Sequence, residues 1–294
     1  MLLNQLRAEW IKVNKNRVLT GFLVWIFPIG QMAFAVVTVL AFFVSEKSAL
    51  AMAMISSHQW DLDMISVWTI LTTFPFNVFG RMLPLALMAV VFAGEYEWDT
   101  WKNVIPRGKR GHLVLSKYLV VIALVMISLL LTGLASTIGH AIDHKLLNLP
   151  YTPEMNWENF VDFLVLYGQQ MLLGLLSLLI LAGFAALASI LTRSILGAVL
   201  TGLGFAIIEP LSLALLVFLR AVTGNPDTVN AYIITPSFHL DNAYSWFLFD
   251  EPVTTSFTTL SVEIGPGLSL IVLVFWAALL TTLAMLLFQR QDIT

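Results

Sequence analysis

The sequence predicts an all-α integral membrane protein with about six transmembrane helices, and three features lead there. Of its 294 residues 59% are apolar and only 11% charged, against about 25% charged in ordinary soluble domains. The mean hydropathy is +0.87. The apolar residues collect into runs long enough to cross a bilayer, and lysine and arginine gather on one side of those runs. One soluble core could not hide so much apolar surface, so lipid is the solvent that fits. A net charge of −3 offers no case for nucleic acid, and the absence of cysteine excludes disulfides and thiolate metal sites.

A span takes roughly 20 apolar residues. The first runs over 18–44. The second lies within 65–93 and is interrupted by Pro75, Arg81 and Pro84. The third covers 119–142, the fourth 163–191, the fifth 195–219 and the sixth 268–288. Splitting or losing the second would make the count seven or five. Ala33-Phe34-Ala35 resembles a signal-peptidase site, but the apolar run continues to Val44, too long for a signal segment.

Basic residues set the orientation. Arg7, Lys12, Lys15 and Arg17 precede the first span; Lys102, Arg107, Lys109, Arg110 and Lys117 lie between the second and third; Arg193 and Arg290 follow the fourth and sixth. With six spans all of these share one side, which places both termini in the cytoplasm. The opposite loops hold only Lys47, Lys145 and the bordering Arg220.

Residues 1–16 are not a span. Leu2, Leu3, Leu6, Trp10 and Val13 recur at helical spacing, with Arg7, Glu9, Lys12 and Lys15 mostly on the other face, as in a helix lying in the inner membrane interface. A short cytoplasmic helix packed on protein would show the same pattern. On the outer side the segment 221–265 is long and aromatic, with Tyr232, Trp246, Phe247 and Phe249. It has the length to dip back toward the membrane, which irregular backbone tolerates only where protein or a water-filled cavity covers it. The whole chain, 1–294, reads as a single transmembrane domain.

The inner segment 94–112 carries the most pattern. Trp98, Trp101 and Ile105 fall at i, i+3 and i+7, so a short amphipathic helix is expected. Glu95, Glu97 and Asp99 crowd its first turn and Lys102 comes later, as the helix dipole favours. Pro106 and Gly108 stop it. The basic run from Arg107 to Arg110 suits lipid phosphates or an acidic partner surface. Taken alone, the pattern fits a positive-inside loop with interfacial tryptophans equally well.

At this point the sequence resembles the permease subunits of type-2 ABC exporters. In that family an acidic residue ends the second span, a Thr follows, a Pro and an Arg come next, and a Lys opens the third span. Glu95, Thr100, Pro106, Arg110 and Lys117 match those places, and the tail from Phe288 to Asp292 resembles the family's basic-then-Asp ending. Two departures are Asp99, where the family usually has Gly, and a Pro106-to-Arg110 spacing one residue longer than typical. The resemblance implies a coupling helix seated on a separate ATPase, with Glu95, Glu97, Thr100, Trp101, Pro106, Arg107 and Arg110 as the coupling residues. ATP and Mg²⁺ would sit on that partner, since no Gly-x-x-x-x-Gly-Lys-Ser/Thr loop occurs in this sequence. It also implies a second permease half, identical or paralogous, and a bacterial or archaeal plasma membrane. An amphiphilic, lipid-like, peptide or drug substrate is the expected cargo.

Two charges fall inside spans. Counting at 1.5 Å per residue, Arg81 and Glu209 lie roughly 21 and roughly 24 Å from the inner boundary. Intramembrane ions are costly and usually paired, so a contact between them is expected, either structural or on a transport pathway. Pro210 can kink the fifth span beside Glu209. Gly168, Gly174 and Gly183 in the fourth span and Gly197, Gly202 and Gly204 in the fifth allow close helix approach. His140 and His144 share a helix face with Asp143 between them, but two ligands do not complete a metal site, and none is assigned. Two other classes stay open: an ion-coupled secondary transporter using Arg81 and Glu209, and a membrane scaffold or sensor using the outer loops.

Overall fold

The computed structural model describes residues 2–44, 49–98, 100–101, 109–253 and 263–291. Every regular element among them is helical: α1 (Leu2–Lys15), α2 (Arg17–Val44), α3 (Ala49–Ser56), α4 (Trp60–Ser66), α5 (Thr69–Thr72), α6 (Phe76–Gly80), α7 (Met82–Glu97), α8 (Arg110–Leu146), α9 (Trp157–Thr192), α10 (Ile195–Ile208), α11 (Ser212–Thr223), a 3₁₀ helix (Pro226–Ile234), α12 (Pro236–Phe249) and α13 (Pro266–Arg290).

Five helical stretches have the length and composition of membrane spans: Thr20–Val44, Phe76–Glu97, Arg110–Leu146, Trp157–Thr192 and Pro266–Arg290. The count rises to six if α10 and α11, which pass the same test together but bend by 69° at their junction, make one broken span. Both interruptions follow from proline. Pro75 restricts Phe74 and keeps the second span from starting before Phe76. Pro210 has no N–H to continue the ladder, which resumes with Leu211 N donating to Ile207 O at 3.3 Å.

The chain forms two compact units. The first comprises Met1–Lys15, Thr69–Ile122 and Leu172–Thr294. Its core joins Leu173, Leu176 and Ile180 of α9, Leu240 and Ala243 of α12, and Leu273, Ala277 and Leu280 of α13. Gly183 lets α9 approach α13, since a Cβ there would stand 2.5 Å from Leu280 Cβ. Gly202 of α10 faces Leu85 of α7 as closely, whereas Gly168 and Gly204 face open space. The apolar face of α13 that carries Ile271, Val274 and Phe275 is exposed, as a lipid-facing surface would be.

The segment predicted as a long outer loop is largely helical where it is described. Thr235 caps α12, its hydroxyl accepting from Phe238 N, and Pro236 opens the helix at a position where no donor is needed. Tyr232 and Phe238 pack with Ile264 against Leu213 and Leu216 of α11.

In α1 the buried stripe differs from the predicted one. Glu9 and Val13 face inward, while Leu3 and Trp10 are exposed. Glu9 was expected on the polar face because it is charged; it turns inward because a buried lysine meets it there.

The second unit comprises Asn16–Trp68 and Ala123–Met171. Ser128 Oγ donates to Val24 O at 3.0 Å and Gln31 Nε2 donates to Ser136 Oγ at 3.0 Å, fastening α2 to α8. Phe42 and Ile55 pack with Met52, Leu147 and Leu149. The indole of Trp60 donates to Pro153 O at 2.8 Å. Along α2, Phe22, Trp25, Ile29, Phe34 and Leu40 are exposed, a face suited to lipid.

Candidate functional site

Two polar clusters in the first unit hold nearly all the described residues singled out from sequence. The first is built where helices break. Arg81 links α6 to α7, and its Nη1 donates to Glu209 Oε2 at 2.6 Å across 128 residues of sequence. Both side chains are buried. Arg81 Nε donates to the Leu71 carbonyl at 2.8 Å, which also accepts from Ser177 Oγ at 2.8 Å. The Leu71 carbonyl lies at the end of the short α5, where the helical ladder leaves carbonyls unpaired.

Glu209 is held as firmly. Its Oε1 accepts from the Ser237 backbone N–H at 2.6 Å and its Oε2 from Ser237 Oγ at 2.7 Å. Ser237 lies in the first turn of α12, so the carboxylate sits on a helix N-terminus, where free N–H groups and the helix dipole both favour an anion. The pair thus gathers the ends of α5, α6, α10 and α12 at one point. Irregular backbone is stable away from water only under this condition, with each freed polar group finding a partner in the protein.

The close turn between α5 and α6 depends on Gly80. A Cβ at that position would collide with the Ile70 carbonyl. A small cavity of about 10 Å³, room for about one water molecule, lies beside the ion pair, bounded by Ile180, Leu181, Phe205 and Leu240 as well as the two charges. Arg81 Nη2 has no hydrogen-bond partner among the described residues. Asp241, one helical turn beyond Ser237, accepts weakly from Phe74 N and from the Tyr232 hydroxyl, each at 3.4 Å. Burial pushes its carboxyl up to about 7, with Arg81 opposing the rise and Glu209 adding to it.

The second cluster sits at the ends of α7 and α8. Lys117 is only 1% exposed, and its Nζ lies 2.6 Å from Glu95 Oε1 and 3.1 Å from Glu9 Oε2. Lys12 also pairs with Glu95, and Thr100 donates its hydroxyl to Glu95 Oε2. The Lys117 ammonium stands 5.5 Å from the centroid of the Trp101 ring, which packs 4.5 Å from Phe288. Two carboxylates around a buried ammonium, closed over by an aromatic face, form a satisfied ionic knot.

Arg110 extends the junction to α13. Its Nη1 donates to the carbonyls of Phe288, Gln289 and Gln291 at 3.2, 2.9 and 2.7 Å, capping the C-terminal end of that helix. Tyr96 donates to Gln291 Oε1 at 2.7 Å. Glu97 accepts from Ile195 N at 3.2 Å, at the start of α10.

Of the residues expected to meet a partner, Glu95, Thr100, Trp101 and Arg110 are thus occupied by the chain's own contacts. Glu97 is exposed but also braced, and Trp98 points outward at 60% exposure. Pro106 and Arg107, with most of the expected loop helix, lie outside the described residues. Sequence reading missed Ser177, Ser237, Asp241 and the Leu71 carbonyl. The Thr235-Pro236 helix start was legible in principle, but its docking on Glu209 was not.

A family model described as "ABC-2 family transporter protein" matches residues 5–209. That stretch includes Glu9, Arg81, Glu95, Lys117 and Glu209. A search of curated proteins found no match.

Proposed function

This chain belongs to the ABC-2 family of transporter proteins, and we propose that it is the permease subunit of an ATP-driven exporter, powered by a separate ATPase that binds ATP and Mg²⁺. The observation that carries this reading is the ionic knot of Lys117 with Glu95 and Glu9. A segment that receives force from a partner needs a stiff root, and a buried, fully satisfied charge cluster supplies one.

On this reading the basic ends of the spans face the cytoplasm of a bacterial or archaeal cell, and the ATPase engages residues 94–112 from there. Trp98 and Glu97, with Pro106 and Arg107 of the same segment of sequence, are the residues assigned to that contact. Glu95, Thr100, Trp101 and Arg110 act as positioning residues, transmitting displacement to α1, α8 and α13. A second permease half, the same chain or a paralogue, completes the pathway. Substrate moves near the break at Arg81 and Glu209, where Leu, Ile and Phe side chains lie beside the charges; such surroundings suit an amphiphilic molecule, lipid-like, peptide or drug.

Reconstitution with the ATPase encoded nearest its gene tests the proposal. Expected are co-purification from native membranes and vanadate-sensitive efflux. The buried Arg81–Glu209 pair is the one observation favouring an ion-coupled carrier. Efflux that ignores vanadate and collapses with an ionophore would establish that reading and overturn the first.

A further inference from the structure

The second unit holds a ligand set that plays no part in the proposed transport mechanism. His58 follows α3, Asp63 lies in α4 and His140 in α8, and one ligand atom from each lies within 4.8 Å of the others. His58 Nδ1 is 2.7 Å from Asp63 Oδ1 and His140 Nδ1 is 3.0 Å from Asp63 Oδ2. The two imidazoles stack with centroids 3.6 Å apart and planes 26° from parallel, so both rings present the same nitrogen to one carboxylate.

We propose that His58, Asp63 and His140 bind one divalent transition-metal ion of the zinc type. Two imidazole nitrogens and one carboxylate oxygen are a set that Zn²⁺ accepts with a fourth position open. With bonds of about 2.0 Å, tetrahedral ligands stand about 3.3 Å apart, so Asp63 must open slightly from each imidazole and the two stacked rings must turn to aim their nitrogens at one ion.

Three further observations point to an ion. His140 is 4% exposed, and its Nδ1, though near Asp63, lies outside hydrogen-bond geometry and has no other partner among the described residues. Asp143, one turn further along α8, is buried with its Oδ2 also unpartnered, which puts a second carboxyl group near His140 and His58. Tyr151 donates to Asp63 Oδ2 at 2.6 Å, the kind of outer hydrogen bond that orients a ligating carboxylate.

The histidine pair suggested by spacing, His140 with His144, is not the ligand pair. Both ring nitrogens of His144 face carbonyls, those of Pro150 and Ile55, each at 2.8 Å, so both are occupied by the chain's own backbone. His58 is the most accessible of the three ligands, so the ion enters on its side. Bound there, it would cross-link α4 to α8.

The test uses the full chain in lipid nanodiscs, with its affinity tag removed and treated with EDTA. Titration with Co²⁺ should give one equivalent with the intense visible bands of a tetrahedral site, displaced by Zn²⁺. H58A and H140N should each weaken binding about 100-fold or more, while the exposed E158Q should bind as wild type does. Zn²⁺ should raise the unfolding temperature of wild type and leave that of H58A unmoved, a readout independent of transport. Wild-type affinity in H58A, or folded wild type with no stoichiometric Co²⁺, would overturn the proposal. So would stability that follows pH but ignores metal, since protons on these histidines would then be what neutralises Asp63 and Asp143.

Discussion

Arg81 and Glu209 meet at 2.6 Å although each lies at a point where its helix is broken. Their environments are unequal: the arginine also serves a carbonyl, and the carboxylate also serves a helix N-terminus. Charge reversal should therefore be asymmetric. R81E and E209R should each abolish efflux, and R81E/E209R should restore only a minor part, because an arginine at 209 would face the Ser237 N–H. E209Q, which can still accept from Ser237, should fold better than E209R. Efflux from vesicles and thermal unfolding in nanodiscs measure both; full rescue by the double reversal would contradict the role given to α12.

Lys117 is the shared cation for Glu95 and Glu9. K117M leaves two buried carboxylates facing each other and should cost about 3 to 5 kcal/mol. E95Q should cost less, since Lys117 keeps Glu9. K117M/E95Q should be more stable than K117M alone, a non-additivity that a double-mutant cycle on unfolding free energies reads directly.

Gly80 and Gly204 make opposite predictions. G80A drives a methyl group into the Ile70 carbonyl, and should lose about 1 to 3 kcal/mol together with efflux. G204A meets nothing within 4 Å and should be neutral or stabilising by about 0.5 to 1 kcal/mol through helix propensity. Unfolding temperatures of the two variants check the pair.

Asp241 gives a pH signature. Its folded-state carboxyl is raised to about 7, above an unfolded value of about 3.9. The stability linked to its proton is therefore fully present below about pH 4 and is lost as pH rises through about 7. D241N should remove that component, so its unfolding temperature should fall less than wild type's between about pH 5 and about pH 8. Parallel curves for the two proteins would place the titration elsewhere.

The spans were legible because hydrophobic length and basic flanks depend on the local chain alone. The Arg81–Glu209 contact was legible for a related reason: depth along a span can be counted from its end. What joined them was not. Ser237 lies 28 residues beyond Glu209 and reaches it only because the segment before α13 folds back as helix, a fact of tertiary packing. Glu9 was assigned to the polar face of α1 because charge normally seeks water, and only a partner 108 residues away reverses that rule. His58 and Asp63 carry no spacing relation to His140, so sequence offered His144 instead, a neighbour on the same face whose ring is already occupied.

Arg110 begins α8 while grasping the last carbonyls of α13. The two residues of that contact, Arg110 and Phe288, lie 178 positions apart in sequence, yet the two helices share one terminus. A displacement applied at residue 110 cannot tilt one without dragging the other, so the first unit responds to a push there as a yoke does, with two arms moving from a single pin.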